Sequence, residues 1–264
     1  MVTDKIKYYT TQLQAGLGVI EETRTLLELW EPEMNAPRLF ETALQSGSFP
    51  NVSARRLRNL VSECFAPRFL VSEGVPAIAL KKMLPNLTSN EFSQFLFLFT
   101  CRANSILADF VIHVIWNRYL RGYDLVRTEE ARDFVIQANQ QGKTVKPWSE
   151  STIRRVASYL IGCCYDFGIL GKRGKMGSKI NSVRLEPKIA AFLAYDLHFS
   201  GLGDNSILGH LDWRLFGMEY EDVRNELKRL ALKGFFIYQT AGDIIHIGWN
   251  YRDREEFTNV IAKA

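Results

Sequence analysis

GKTVKPWSESTIRRVASYLIGCCYDFGILGKRGKMGSKINSVR, residues 142–184, reads as a helix-turn-helix unit followed by a basic β-hairpin. It holds Lys143, Lys146, Arg154, Arg155, Lys172, Arg173, Lys175, Lys179 and Arg184 against Glu150 and Asp166, so nine cations and two anions leave +7. The whole chain of 264 residues carries only +4, and the remainder therefore sums to −3. Clustered Lys and Arg attract polyanions and release counterions on binding, which makes double-stranded nucleic acid the first partner to consider.

Within this stretch Ser149 caps a helix over residues 149–165. Ile153, Val156, Ala157, Leu160, Ile161 and Cys164 recur at the spacing of one apolar stripe. Ser151, Arg154, Arg155 and Ser158 take the opposite stripe. A helix fits the major groove of B-form DNA, Arg suits bidentate contact with guanine, and serines reach phosphate or base edges. This is the pattern expected of a recognition helix. Two earlier helices, over 105–120 and 128–140, would complete the unit, the second with Thr128 as N-cap and Glu129 and Glu130 in its first turn. Residues 167–170 and 179–185 read as short strands joined by a glycine-rich loop. In a winged helix-turn-helix such a hairpin grips backbone, and Lys172, Arg173, Lys175 and Lys179 are its expected contacts. A phosphate-cradling nucleotide loop is disfavoured, because GxxxxGK[ST] is absent and no helix follows the glycines directly.

Outward from there, residues 1–103 read as an α-helical bundle punctuated by prolines at 32, 37, 50, 67, 76 and 85. One of its helices, over 53–65, sets Leu57, Leu60, Val61 and Cys64 against a basic side carrying Arg55 and Arg58, with Arg56 nearby. That side is either a solvated face or a secondary phosphate-contacting surface. Beyond residue 187 the pattern partly recurs: helices over 188–199 and 220–233, then a hairpin from 235–239 and 243–249. Here Glu219, Glu221, Asp222 and Glu226 balance Arg224, Lys228, Arg229 and Lys233, and the hairpin carries Phe236, Tyr238, Ile245 and Trp249. Protein contact or intramolecular support suits it better than phosphate. The expected architecture is mainly α: a helical bundle (1–103), a winged helix-turn-helix with a basic wing (104–187), and a C-terminal helical region with a second winged-helix-like hairpin (188–264).

Catalytic signals are missing. His113, His198, His210 and His246 stand alone, with no HExxH, GxSxG or paired Cys/His motif. His113 reads as a core histidine, and a metal site from His198 and His210 with Asp204 or Asp212 lacks recognised spacing. Asp196 and Asp212 form no more than a chance carboxylate pair. The expectation is a protein that is no enzyme, with no cofactor, no metal and no small-molecule substrate. Cys64, Cys101, Cys163 and Cys164 show no CxxC spacing and read as reduced cytoplasmic thiols. MVTDKIKYYTTQL lacks the apolar core of a secretory signal. The most apolar run, residues 92–120, is interrupted by Arg102, Asn104, Asp109, His113 and Asn117, so it reads as two buried helices rather than a span. A cytoplasmic location, away from the membrane, follows.

Several motifs in order resemble the BrxA family, a core protein of bacteriophage exclusion (BREX) defence systems. They are the segment 9–29 with Ala15-Gly16-Leu17 and Glu21-Glu22, SARRL at 53–57, Arg102 with Asp109-Phe110, WSESTIR at 148–154 and DFGIL at 166–170. The resemblance spans nearly the whole chain. It implies a mostly α-helical, cytoplasmic, non-enzymatic protein that binds double-stranded DNA and works with the methyltransferase and other components of the defence system. A former label of the family as an inner-membrane protein conflicts with the interrupted apolar run. Two rival readings stand beside DNA binding. One is a scaffold whose basic wing docks acidic protein surfaces. The other is RNA binding, since the family's fold is similar to that of a helical RNA antitermination factor; against it, Phe95, Phe97, Phe99 and Trp116 lie in runs that look buried.

Overall fold

The computed structural model describes residues 8–242 and 244–263 and is mainly α-helical, with two small antiparallel sheets. Helices α1 (Ile20–Leu29), α2 (Ala36–Gln45), α3 (Ala54–Asn59), α4 (Ala66–Phe69), α5 (Val75–Met83), α6 (Ser89–Ala103), α7 (Ser105–Phe110) and α8 (Asn117–Leu120) come first. Then follow β1 (Leu125–Val126), α9 (Thr128–Gln140), α10 (Glu150–Asp166), β2 (Leu170–Gly174) and β3 (Gly177–Ile180). The remainder is α11 (Pro187–Phe199), α12 (Asp204–Leu208), α13 (Leu211–Arg214), α14 (Tyr220–Leu232), β4 (Phe236–Ala241), β5 (Ile244–Trp249) and α15 (Arg254–Ile261). The expectations about residues 1–7, and the expected strand start at Asp243, lie outside the described residues.

Residues 1–77 and 96–182 form one compact unit, and residues 78–95 and 183–264 form another. In the first, α3 runs without a break through a π-helical stretch (Leu60–Phe65) into α4. Pro67 was expected to end a helix and does not. Its missing N–H and its ring forbid an α-type bond to residue 63, and the wider turn just before it absorbs the misfit. A second π stretch, Val111–Trp116, joins α7 to α8. Among the described residues no single helix is long and apolar enough to cross a membrane; the apolar run is divided between α6 and the helix 105–120, which bend by 110°. Asn104 marks the break, its side-chain amide donating to the Thr100 carbonyl at 2.9 Å. His113, expected in the core, is exposed: on this helix the buried positions are Val111, Ile112, Ile115 and Trp116, leaving residue 113 on the outer side.

In the second unit α11 is buried on nearly every side along the apolar run Ile189–Tyr195. Tyr195 at its centre stacks on Phe257 at 4.1 Å, donates to the Phe235 carbonyl at 2.6 Å and accepts from the Asn250 N–H at 3.1 Å. The β4–β5 hairpin pairs from Phe236↔Trp249 to Ala241↔Ile244. Trp249 lies flat on His198 at 4.2 Å, while Asp204 accepts from the Ile247 N–H at 2.9 Å. His198 is thus a packing partner, and His210 accepts from the Asp212 N–H at the start of α13. Short elements α12, α13, α15 and β1 fall below the length at which periodicity is readable.

Candidate nucleic-acid interface

Helix α10 starts where the Ser149 hydroxyl accepts from the Thr152 N–H. The turn before it is held by Asn139 of α9, whose side-chain oxygen accepts from the Trp148 N–H at 2.8 Å and the Thr144 hydroxyl at 3.1 Å. All six residues of the expected apolar stripe are buried. Ser151, Arg154, Arg155 and Ser158 are all exposed, so the structure gathers them on one outward face. They are not equally available. Glu150 receives Arg154 at 3.3 Å and Arg132 of α9 at 2.9 Å, and the Ser151 hydroxyl bonds that of Ser149 at 3.0 Å. Helix α9 begins one residue earlier than expected in its cap: Arg127 is the N-cap, its N–H donating to the Glu130 carboxylate at 2.8 Å.

Behind α10 the hairpin is displaced from its expected strands. Phe167 and Ile169 are buried and Gly168 turns the chain with φ of +71°, so residues 167–169 end the helix rather than pair. Pairing begins at Leu170↔Ile180 and ends at Gly174↔Gly177, so the glycine-rich segment is itself strand. A bulge lies between Leu170 and Arg173. Neighbours in a regular strand point to opposite faces, and the bulge leaves Lys172 and Arg173 both exposed. Lys175 in the turn and Lys179 on β3 are exposed as well. Strand β1 pairs with β3, giving the order β1-β3-β2. Gly177 permits that pairing: its φ is +130°, and a Cβ there would stand 2.6 Å from the Val126 carbonyl oxygen.

Among the described residues no hydrogen bond or ion pair joins the basic side of α3 to this face, and its three arginines differ. Arg56 donates to the Ala15 carbonyl, Arg58 lies over the Phe40 ring at 4.9 Å, and Arg55 is exposed. Arg56 is thus engaged with the backbone through one of its guanidinium nitrogens. Sequence reasoning missed Arg127, exposed beside the position a Gly177 Cβ would take; only the β1–β3 pairing reveals it. It also missed the exposed Tyr119 and Tyr123, the latter under the Arg118 guanidinium at 4.7 Å. A cleft of about 360 Å³ is lined by His113, Glu130, Asp133, Gln137, Gln141 and Lys143 among others. Next to it Tyr9 donates to Asp109, and burial together with that carboxylate pushes the phenol far above its ordinary range.

A family model for BrxA matches residues 7–196. The chain belongs to the BrxA family. It is thereby a protein of BREX phage defence. No curated protein matches it. Among solved structures, an uncharacterized protein from Magnetospirillum magneticum is similar in fold, with a TM-score of 0.58 and 15% identity over 79% of this chain and 98% of that one. Several of the motifs singled out in the sequence meet at one loop. The loop Ala15-Gly16-Leu17-Gly18 is clamped by Arg56 on the Ala15 carbonyl, by buried Arg68 on the carbonyls of Gly16 (2.8 Å) and Leu17 (3.1 Å), and by Asp166 on the Gly18 N–H (3.0 Å). Gly16, Gly18 and Gly162 have no room for a Cβ, which would meet Cys64, Asp166 and Leu17 within 2.8 Å. Arg56 of SARRL and Asp166 of DFGIL supply two of these clamps and Arg68 the third, so together they hold the back of α10 in place.

Proposed function

We propose that this BrxA-family protein is a non-enzymatic, cytoplasmic double-stranded DNA-binding component of its phage-defence system. The observation that carries the reading is the side-by-side exposure of Ser151, Arg154, Arg155 and Ser158 on α10 and of Lys172, Arg173, Lys175 and Lys179 on the adjoining hairpin. The order of elements supports it: helix 105–120, β1, α9, α10, β2, β3, with β1 returning to β3, agrees with the order expected of a winged helix-turn-helix in which α10 would be the recognition helix. Other BREX proteins are the expected protein partners.

The test is anisotropy of a labelled DNA duplex of about three helical turns, with a matched RNA duplex alongside, titrated at several salt concentrations. Arg154→Ala/Arg155→Ala is expected to weaken DNA binding and to lower the log–log salt slope by about two. Equal affinity and slope for both proteins would remove α10 from the interface.

A scaffold reading has its own support. Leu232 is 90% exposed and Ile244 71%, at the end of α14 and on the β4–β5 hairpin. Their contribution is tested by co-purification with other BREX proteins after nuclease digestion, comparing the wild type with Leu232→Ser/Ile244→Ser.

A further inference from the structure

The face of α10 carries one carboxylate where phosphate binding alone would want none. Glu150 and Asp166 are the only acids of the helix, and Asp166 is bound to the Gly18 N–H on the clamped side. Glu150 is 64% exposed in the first turn, on the face of the candidate contacts. Its Oε1 takes both cations, Arg132 Nη2 at 2.9 Å and Arg154 Nη2 at 3.3 Å. Arg132 reaches it from α9, its Nε buried and the side chain as a whole 43% exposed. Oε2 takes no hydrogen bond or ion pair from the described residues.

We infer that Glu150 is a specificity-determining residue of the α10 face, which accepts the N4 amino group of a cytosine in the major groove through Oε2 and opposes phosphate elsewhere on the duplex. This rests on the DNA-binding reading above. Three arguments join. The N-terminal residues of a recognition helix are those that reach base edges. Of the groove groups, the cytosine amino is the donor that Glu and Asp are suited to accept. A rotamer that Arg132 still holds when Arg154 turns to DNA loses little freedom on binding, so the contact is preorganised. The same negative charge reduces the counterion release on which affinity for arbitrary sequence depends. Arg154 thereby divides its charge between Glu150 in the free protein and DNA in the complex.

The experiment is selection from a pool of randomised duplexes, with sequencing of the bound fraction, for the wild type and Glu150→Gln, alongside salt titrations on a mixed-sequence duplex. Gln keeps the side-chain length and an acceptor for Arg132, and its thermal midpoint reports whether the fold survives. The wild type is expected to enrich cytosine at one position by about tenfold. In Glu150→Gln that preference moves toward adenine, which Gln contacts bidentately. Its affinity for mixed-sequence duplex rises about fivefold at 0.15 M salt, with a slope steeper by about one. Identical preference and slope in the two proteins, or a wild type without base preference, overturns the inference while leaving the interface standing. Absence of duplex binding by either protein removes the interface and the inference with it.

Discussion

Cys163 shows how far a side chain's behaviour is set by its surroundings. It and Cys164 are adjacent on α10 and buried, among four free thiols. Burial pushes the Cys163 thiol up to about 12 from its ordinary 9.0, despite the opposing pull of Arg68, and pushes Cys164 well above 9.0. A folded state that holds its proton more tightly than the unfolded chain keeps its full stability below about pH 9 and loses it as pH rises toward 12. Urea midpoints at pH 8 and 10.5 are therefore expected to fall further for the wild type than for Cys163→Ala; equal declines would mean that other groups carry the alkaline loss. At this scale the apolar stripe of α10 was legible, because helical periodicity records which side is covered. Arg56 and His113 were not. The Ala15 carbonyl that holds Arg56 lies 41 residues upstream, and a lone outward position inside an apolar run looks like its neighbours.

Among elements, long periodic helices read well and strands read late. Helix 128–140 matches α9 residue for residue, since thirteen residues give several turns of repeating pattern. The hairpin was placed on its apolar flanks, where periodicity points, whereas the pairing sits on the glycines and cations that carry no apolar signal. Two-residue β1 has no pattern at all, yet it is the third strand of that sheet. Gly177 is the residue on which its pairing turns. Gly177→Ala is expected to cost about 2 kcal/mol, lowering Tm by roughly 4–8 °C. Gly174→Ala is the control, because its Cβ would meet only the Gly177 carbonyl oxygen, at 3.4 Å, and its φ is not in the left-handed region. Equal midpoints for the two variants in a thermal melt would show that the β1–β3 approach is not strained.

Across the molecule, charge is divided unevenly. The unit of residues 1–77 and 96–182 holds 21 Lys and Arg against 16 Asp and Glu, and the other unit 12 against 13, so they carry +5 and −1. Six exposed cations on α10 and its hairpin, if all meet phosphate, give a log–log salt slope of about −5 and an affinity loss of roughly a thousandfold between 50 and 200 mM salt. A slope near −1 for the intact protein in the anisotropy titration would leave most of those cations outside the contact. The division itself was hidden from periodicity, because the chain crosses from one unit to the other inside α5 and α6, where the helical pattern continues unbroken. The clamped loop 15–18 adds a constraint in time. Its Gly18 N–H is bound by Asp166, 148 residues downstream, and Tyr9 pairs with Lys143 across a similar gap. A ribosome adding 5–20 residues per second takes roughly 7–30 s to make that intervening chain. For that interval the loop 15–18 of each newborn molecule is without the carboxylate that holds its Gly18 N–H.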